Sequence, residues 1–143
     1  MIYSLDMRTL LVCLTALFIT ACFSFPAAIN NNTTAEELVQ YAQTAMDRDQ
    51  HKLAIYYYEE ILKRFSNNDE KVCDAEYGIA SVHYKQRRYK LAKEEFEEIL
   101  QKYNGPSSKN LPKKYQILSK IRLERIAEKQ KSVPKFLQRL EKT

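Results

Sequence analysis

The chain has 143 residues, 23 of them basic and 18 acidic, for a net charge of +5. That length suits one small domain. Two glycines and four prolines in the whole chain favour long helices, and three cysteines, Cys13, Cys22 and Cys73, are too few for a disulfide framework once a leader is removed.

The N-terminus reads as that leader. Met7-Arg8 precedes a short apolar run from Leu10 to Ala21. A basic flank, an apolar stretch and small residues before the cut describe a secretory signal peptide over 1–21. The run falls short of the roughly 20 residues that span a bilayer. Met1 and Met7 are both candidate start residues. The order Ile19-Thr20-Ala21-Cys22 resembles a bacterial lipobox. The resemblance implies cleavage before Cys22, acylation of its sulfur and amino group, and attachment to the membrane through that lipid. The alternative is an ordinary signal peptide cut near Pro26-Ala27-Ala28, with Cys22 discarded. Asn32-Thr33-Thr34 is a glycosylation sequon that matters only in a eukaryote.

Residues 22–33 carry a triple asparagine and no periodicity, as expected of a flexible tether. Thr34 with Glu37 makes a capping box and starts the first helix, whose apolar face is Leu38, Tyr41, Ala42 and Ala45. Asp47-Arg48-Asp49-Gln50 turns the chain into a second helix at about 51–65. Asn67-Asn68-Asp69 breaks it. A third helix is expected at about 71–87 and a fourth at about 89–103, stopped by Asn104-Gly105-Pro106. Asn110-Leu111-Pro112 then starts a helix to about Gln130, with Tyr115, Leu118, Ile121, Leu123 and Ile126 as its apolar stripe. Ser132-Val133-Pro134 starts a last short helix with Phe136, Leu137 and Leu140 inward. Together 105–143 reads as a helix pair capping the array before it.

That array is a repeat. KLAIYYYEEILKRF, ending at Phe65, aligns without gaps on KLAKEEFEEILQKY, ending at Tyr103, at an offset of 38 residues from Ala54 to Ala92. Such a period signals stacked supersecondary units. Alanine followed four residues later by a ring occurs twice, as Ala54/Tyr58 and Ala92/Phe96. Two helices cross closely where one residue is small, and the ring fills the space one turn along. Of the run Tyr56-Tyr57-Tyr58, Tyr58 is expected in the core and its neighbours in grooves or at the surface. These residues resemble the tetratricopeptide repeat. Ile79-Ala80, Tyr84, Tyr89, Ala92, Phe96 and Ile99 carry the likeness in the second copy. Tyr41-Ala42, Met46, His51, Ala54, Tyr58 and Ile61 carry it in the first. The family's first-helix tryptophan is replaced by Leu38 or Glu76, its interhelix glycine by Asp49 or Arg87, and its closing proline by Ser66 or Asn104. The fold class expected is therefore all-α: two tetratricopeptide-like hairpins over 34–104 and a capping helix pair.

Function is expected on surfaces. No HExxH, GxSxG or phosphate loop occurs, and neither a metal nor a cofactor is implied. His51 and His83 fall on packing positions and read as structural. Glu59-Glu60, Glu94-Glu95 and Glu97-Glu98 read as solvated. Cys73, at a helix start, reads as a small semi-buried residue. Stacked hairpins line a concave face with their first helices. Here that face carries Val39, Gln43, Met46 and Asp47, then Tyr77, Ser81, Tyr84 and Lys85, a mixture suited to an extended peptide or a partner helix. Charge is uneven: residues 22–104 hold 11 basic and 14 acidic side chains, and residues 105–143 hold 11 and 3. Lys113, Lys114, Lys120, Arg122 and Arg125 form a basic face that either only solvates the cap or docks an acidic protein or anionic lipid. Nucleic acid is disfavoured, because no nucleic-acid motif accompanies the charge and the leader exports the chain.

The lipobox, the tether and two hairpins ending in Glu59-Glu60-Ile61-Leu62 and Glu97-Glu98-Ile99-Leu100 resemble the BamD group of outer-membrane assembly lipoproteins. The resemblance implies an outer-membrane anchor facing the periplasm. It also implies docking to the barrel-insertion protein and contact with unfolded outer-membrane proteins. That family has more repeats than this chain. Other readings are a different tetratricopeptide envelope lipoprotein, such as a cell-envelope coordinator or secretion pilotin, and an accessory subunit of an envelope enzyme.

Overall fold

The computed structural model describes residues 28–132. The leader, Cys22, the first part of the tether and the helix expected after Pro134 lie outside them. Five α-helices and no strand occur among the described residues: α1 (Ala35–Asp47), α2 (His51–Arg64), α3 (Asp69–Lys85), α4 (Tyr89–Lys102) and α5 (Lys113–Ser132). A 3-10 turn, Pro106–Asn110, leads from α4 to α5. Each helix packs on the next, and α1 also meets α3 as α3 meets α5, so the helices stack as successive hairpins.

Local chemistry sets the ends. Thr34 Oγ1 accepts from the Glu37 amide at 3.2 Å, and Glu37 returns a carboxylate to the Thr34 amide at 2.7 Å. This is the expected capping box, satisfying two donors that the first turn leaves unpaired. The Asn68 side chain accepts from the Lys71 amide at 3.1 Å. That cap lets α3 begin at Asp69, two residues before the sequence suggested, so the asparagine pair starts a helix as well as ending one. The two hairpin turns are built alike. Asp49 and Arg87, 38 residues apart, both take positive φ, 56° and 62°. Asp49 donates to the Met46 carbonyl and Gln50 to that of Ala45, and Arg87 and Arg88 repeat those bonds to Tyr84 and His83. This paired capping usually employs glycine, which reaches the left-handed region without strain. It also ends α3 at Lys85 rather than Arg87.

Two buried clusters share α3. Leu38, Ala42, Ala54, Tyr58 and Ile61 pack against its Ala75 and Val82. Ala92, Phe96, Ile99, Tyr115 and Ile126 pack with its Cys73 and Ala80. A fully enclosed side chain such as Phe96 contributes about 1.5–3 kcal/mol by leaving water. Gly78 is buried on α3, and a Cβ there would lie 2.4 Å from two atoms of the Tyr58 ring. The α2–α3 crossing is that close.

Three expectations change here. Tyr57 is as buried as Tyr58, at 2% and 4% exposure, and only Tyr56 faces water, because α2 lies between α1 and α3 and buries two sides. Tyr57 stacks at 5.6 Å on Tyr41. On α5 the buried side is Tyr115, Ser119 and Ile126, while Leu118 and Ile121 stand exposed beside Ile117. Residues 30–33, expected in a flexible tether, form a turn in which the Asn30 amide donates to Thr33 Oγ1 at 3.0 Å. Arg64 fastens it to α2 by donating to the carbonyls of Asn31 and Thr33, each at 2.9 Å.

Candidate functional site

The residues expected on the concave face lie on the first helices of the two hairpins, Val39, Gln43, Met46 and Asp47 on α1 and Tyr77, Ser81, Tyr84 and Lys85 on α3. Gln43 and Asp47 are exposed there, and Val39, Met46, Tyr77, Ser81 and Tyr84 are partly buried. Lys85 ties α3 to the end of α1. Its Nζ donates to the Met46 carbonyl and pairs with Asp49 at 3.0 Å. The hydrogen bond that Lys85 donates to the Asp49 carboxylate, with the Lys85 charge, holds that carboxyl below its ordinary range.

Rings and one cation make up the α3–α5 part. Tyr77 sits 5.5 Å from Phe96 and 5.8 Å from Tyr115, centroid to centroid. Arg122 Nε donates to the Tyr77 hydroxyl at 3.2 Å. Its guanidinium lies 5.0 Å from the centre of the Tyr84 ring, which meets Tyr89 at 5.6 Å. Arg122 therefore belongs to the concave side, joining two surfaces that the sequence kept apart. Its chemistry fits: a weakly hydrated planar cation stacks on rings where an ammonium would keep its water. Lys113, Lys120 and Arg125 remain exposed, as does Lys114, which lies 4.7 Å over the Tyr115 ring and 3.7 Å from Glu70. Beneath this surface burial pushes the Tyr115 hydroxyl well above its ordinary range, with Asp74 adding to the effect.

A second feature lies along the α3–α4 seam. His83 Nδ1 meets Glu95 at 2.8 Å, and Lys102 pairs with Glu76. Between these pairs Ile79, Glu98 and Ile99 complete the lining of a cavity of about 160 Å³. Glu95 is thus drawn into the hairpin rather than solvated. His83 is buried on a packing position, as expected. The sequence signal was available in the spacing, since histidine and glutamate flank the turn at positions that meet when the hairpin closes.

Cys73 is 1% exposed, and burial pushes its thiol above the ordinary range. Among the described residues no three potential metal ligands cluster, and no helix is long and apolar enough to cross a membrane. What this arrangement offers chemically is recognition by rings, methylenes and a few fixed charges on the open side of helical hairpins.

No protein-family model matches the chain, and no solved structure matches it. It is similar to an uncharacterized protein of Treponema pallidum (strain Nichols), at 33% identity over 111 residues. The match covers 76% of this chain and 44% of that protein, so the chain spans less than half the length of its relative.

Proposed function

We propose that the protein is a lipid-anchored scaffold of the outer membrane, facing the periplasm, that binds protein partners through tetratricopeptide-type hairpins. The assembly machinery for β-barrel outer-membrane proteins is its setting, with the barrel-insertion protein and unfolded outer-membrane proteins as partners. The observation that carries the scaffold reading is the stack of hairpins with an open first-helix side rich in partly buried tyrosine. Tyrosine offers contact area and a polar tip at low entropic cost. The tetratricopeptide assignment is supported by the repeated turn, in which Asp49 and Arg87 hold the conformation that the family gives to glycine. The anchor rests on Ile19-Thr20-Ala21-Cys22.

Extraction of native membranes in mild detergent, capture of the tagged protein and mass spectrometry test the partner. Recovery of the barrel-insertion protein is expected. Consistent recovery of a different envelope complex without it would overturn the assembly role. Cys22→Ala tests the anchor: uncleaved precursor or a soluble form is expected. Normal processing and membrane retention of that variant would remove the lipid from the proposal.

A further inference from the structure

Three aliphatic side chains stand in water on one side of α5. Ile117 is 57% exposed, Leu118 38% and Ile121 39%. They lie one period beyond Ile79, Ala80 and His83 of α3, and two beyond Tyr41, Ala42 and Ala45 of α1. On those helices this stripe meets the second helix of the hairpin: Ala42 and Ala45 pack with Ala54 and Tyr58 of α2, and His83 and Ala80 meet Glu95 and Phe96 of α4. Among the described residues α5 has no such helix. Within those residues it is a first helix without a second.

Charge selects what would fit. α5 carries seven basic side chains and two acidic ones. Lys113, Lys114, Lys120 and Arg125 surround the three aliphatics, with Glu124 and Glu128 nearer its C-terminal end. The residues that follow in this sequence hold Lys135, Arg139 and Lys142 against Glu141, so they would bring like charge. A second copy docking the same patch about a two-fold axis would do the same. Of the helices that fill the equivalent place in this chain, α4, beside α5, sets Glu94, Glu95, Glu97 and Glu98 against Lys90, Lys93 and Lys102. The other, α2, sets Glu59 and Glu60 against Lys52, Lys63 and Arg64, so an acidic occupant follows the α4 pattern and the charge of α5 itself.

We propose that the exposed face of α5 receives an acidic amphipathic helix from a partner protein, laid against Ile117, Leu118 and Ile121 to close a third hairpin. This rests on the scaffold reading and names the kind of partner that it takes. Helix-in-groove recognition supplies the mechanism: aliphatic anchors at i, i+3 and i+4 bury against the stripe while the partner's carboxylates meet the lysine rim.

The probe is a fluorescein-labelled peptide copying Tyr89 to Tyr103, YKLAKEEFEEILQKY, titrated with the full chain in non-ionic detergent and followed by anisotropy. Saturable binding is expected, weakening as salt rises. Ile117→Asp with Ile121→Asp should weaken it roughly tenfold or more, since apolar anchors at an interface centre dominate affinity. Both positions are exposed, so circular dichroism and melting of that variant should match wild type. A peptide with lysine at its four glutamates should not bind, and Phe136→Asp should change nothing. Absence of binding, or equal binding by wild type and the double variant, overturns the proposal. Binding that emerges only in Phe136→Asp gives the face to the chain's own following residues. A wild-type dimer dissociated by Ile121→Asp gives it to a second copy. Competition by phosphatidylglycerol vesicles, and not by phosphatidylcholine vesicles, gives it to lipid. Each of these overturns the partner helix. The membrane capture described above reads partners on any surface, so saturable peptide binding beside an empty capture would instead sink the assembly role alone.

Discussion

A methyl group at Gly78 would sit 2.4 Å from the Tyr58 ring, closer than carbon atoms approach. Alanine favours a helix over glycine by about 1 kcal/mol, yet here the ring must move and overpacking should win. Gly78→Ala is expected to lose about 1–3 kcal/mol in urea unfolding. Combining it with Tyr58→Leu should cost less than the sum of the two changes, because one clash is shared. Arg87 argues the opposite way. Its φ of 62° is a conformation that non-glycine residues adopt at a cost of about 1–2 kcal/mol. Arg87→Gly should therefore raise the melting temperature by several degrees, and an unchanged melt would show the turn to be unstrained. The sequence made the alanine–ring pairs legible because spacing of four is visible in any helix. It did not separate Tyr57 from Tyr56. Three consecutive rings point about 100° apart, and only the neighbours on both sides of α2 decide that two are enclosed.

At the scale of the element, α5 teaches most. Its start after Pro112 was legible from turn chemistry, and its length from the absence of a breaker. Its buried side was not. Periodicity marks which positions are apolar, but Leu118 and Ile121 are apolar and exposed, while Ser119 is polar by type and fully enclosed. The basic run misled in a related way, since counting charges does not show that Arg122 is half-buried between Tyr77 and Tyr84. The charges of α5 therefore divide. Lys113→Glu with Lys120→Glu should leave stability within about 0.5 kcal/mol, as expected for exposed charges. Arg122→Glu should cost about 1–2 kcal/mol through the lost hydrogen bond and ring contact. Equal urea midpoints for the two variants would return Arg122 to the surface.

The whole molecule is held by α3, which gives Ala75 and Val82 to one cluster and Cys73 and Ala80 to the other. Tyrosines in both halves are tuned by their surroundings. Tyr58 and Tyr103 are each pushed up to about 12, burial being the main cause. Such groups ionise first in the unfolded chain, near pH 10, so their contribution is intact below that value and is lost as pH rises toward 12. In alkaline titration the part of the tyrosinate absorbance that is lost in Tyr58→Phe and in Tyr103→Phe should rise together with unfolding in that window. If that part appears near pH 10 with the fold intact, the burial of these two rings is contradicted. The hairpin pairing was legible, because the 38-residue offset sets Asp49 against Arg87 and the structure gives both the same turn. The setting of α5 was not, since α5 lies beyond the second repeat and its rotation depends on the 3-10 turn before it.

Arg64 fixes how the described start of the chain meets the first hairpin. Because it grips the Asn31 and Thr33 carbonyls, the turn at 30–33 moves with α2. Were Cys22 acylated as proposed, the eight links from Cys22 to Asn30 would reach at most about 28 Å at roughly 3.5 Å per residue. That anchor would hold the first hairpin within this distance of the lipid headgroups. Under the proposed anchor the α5 end of the stack is the end left free of the tether. The clasp thus ties only the first hairpin to the chain that leads back toward Cys22.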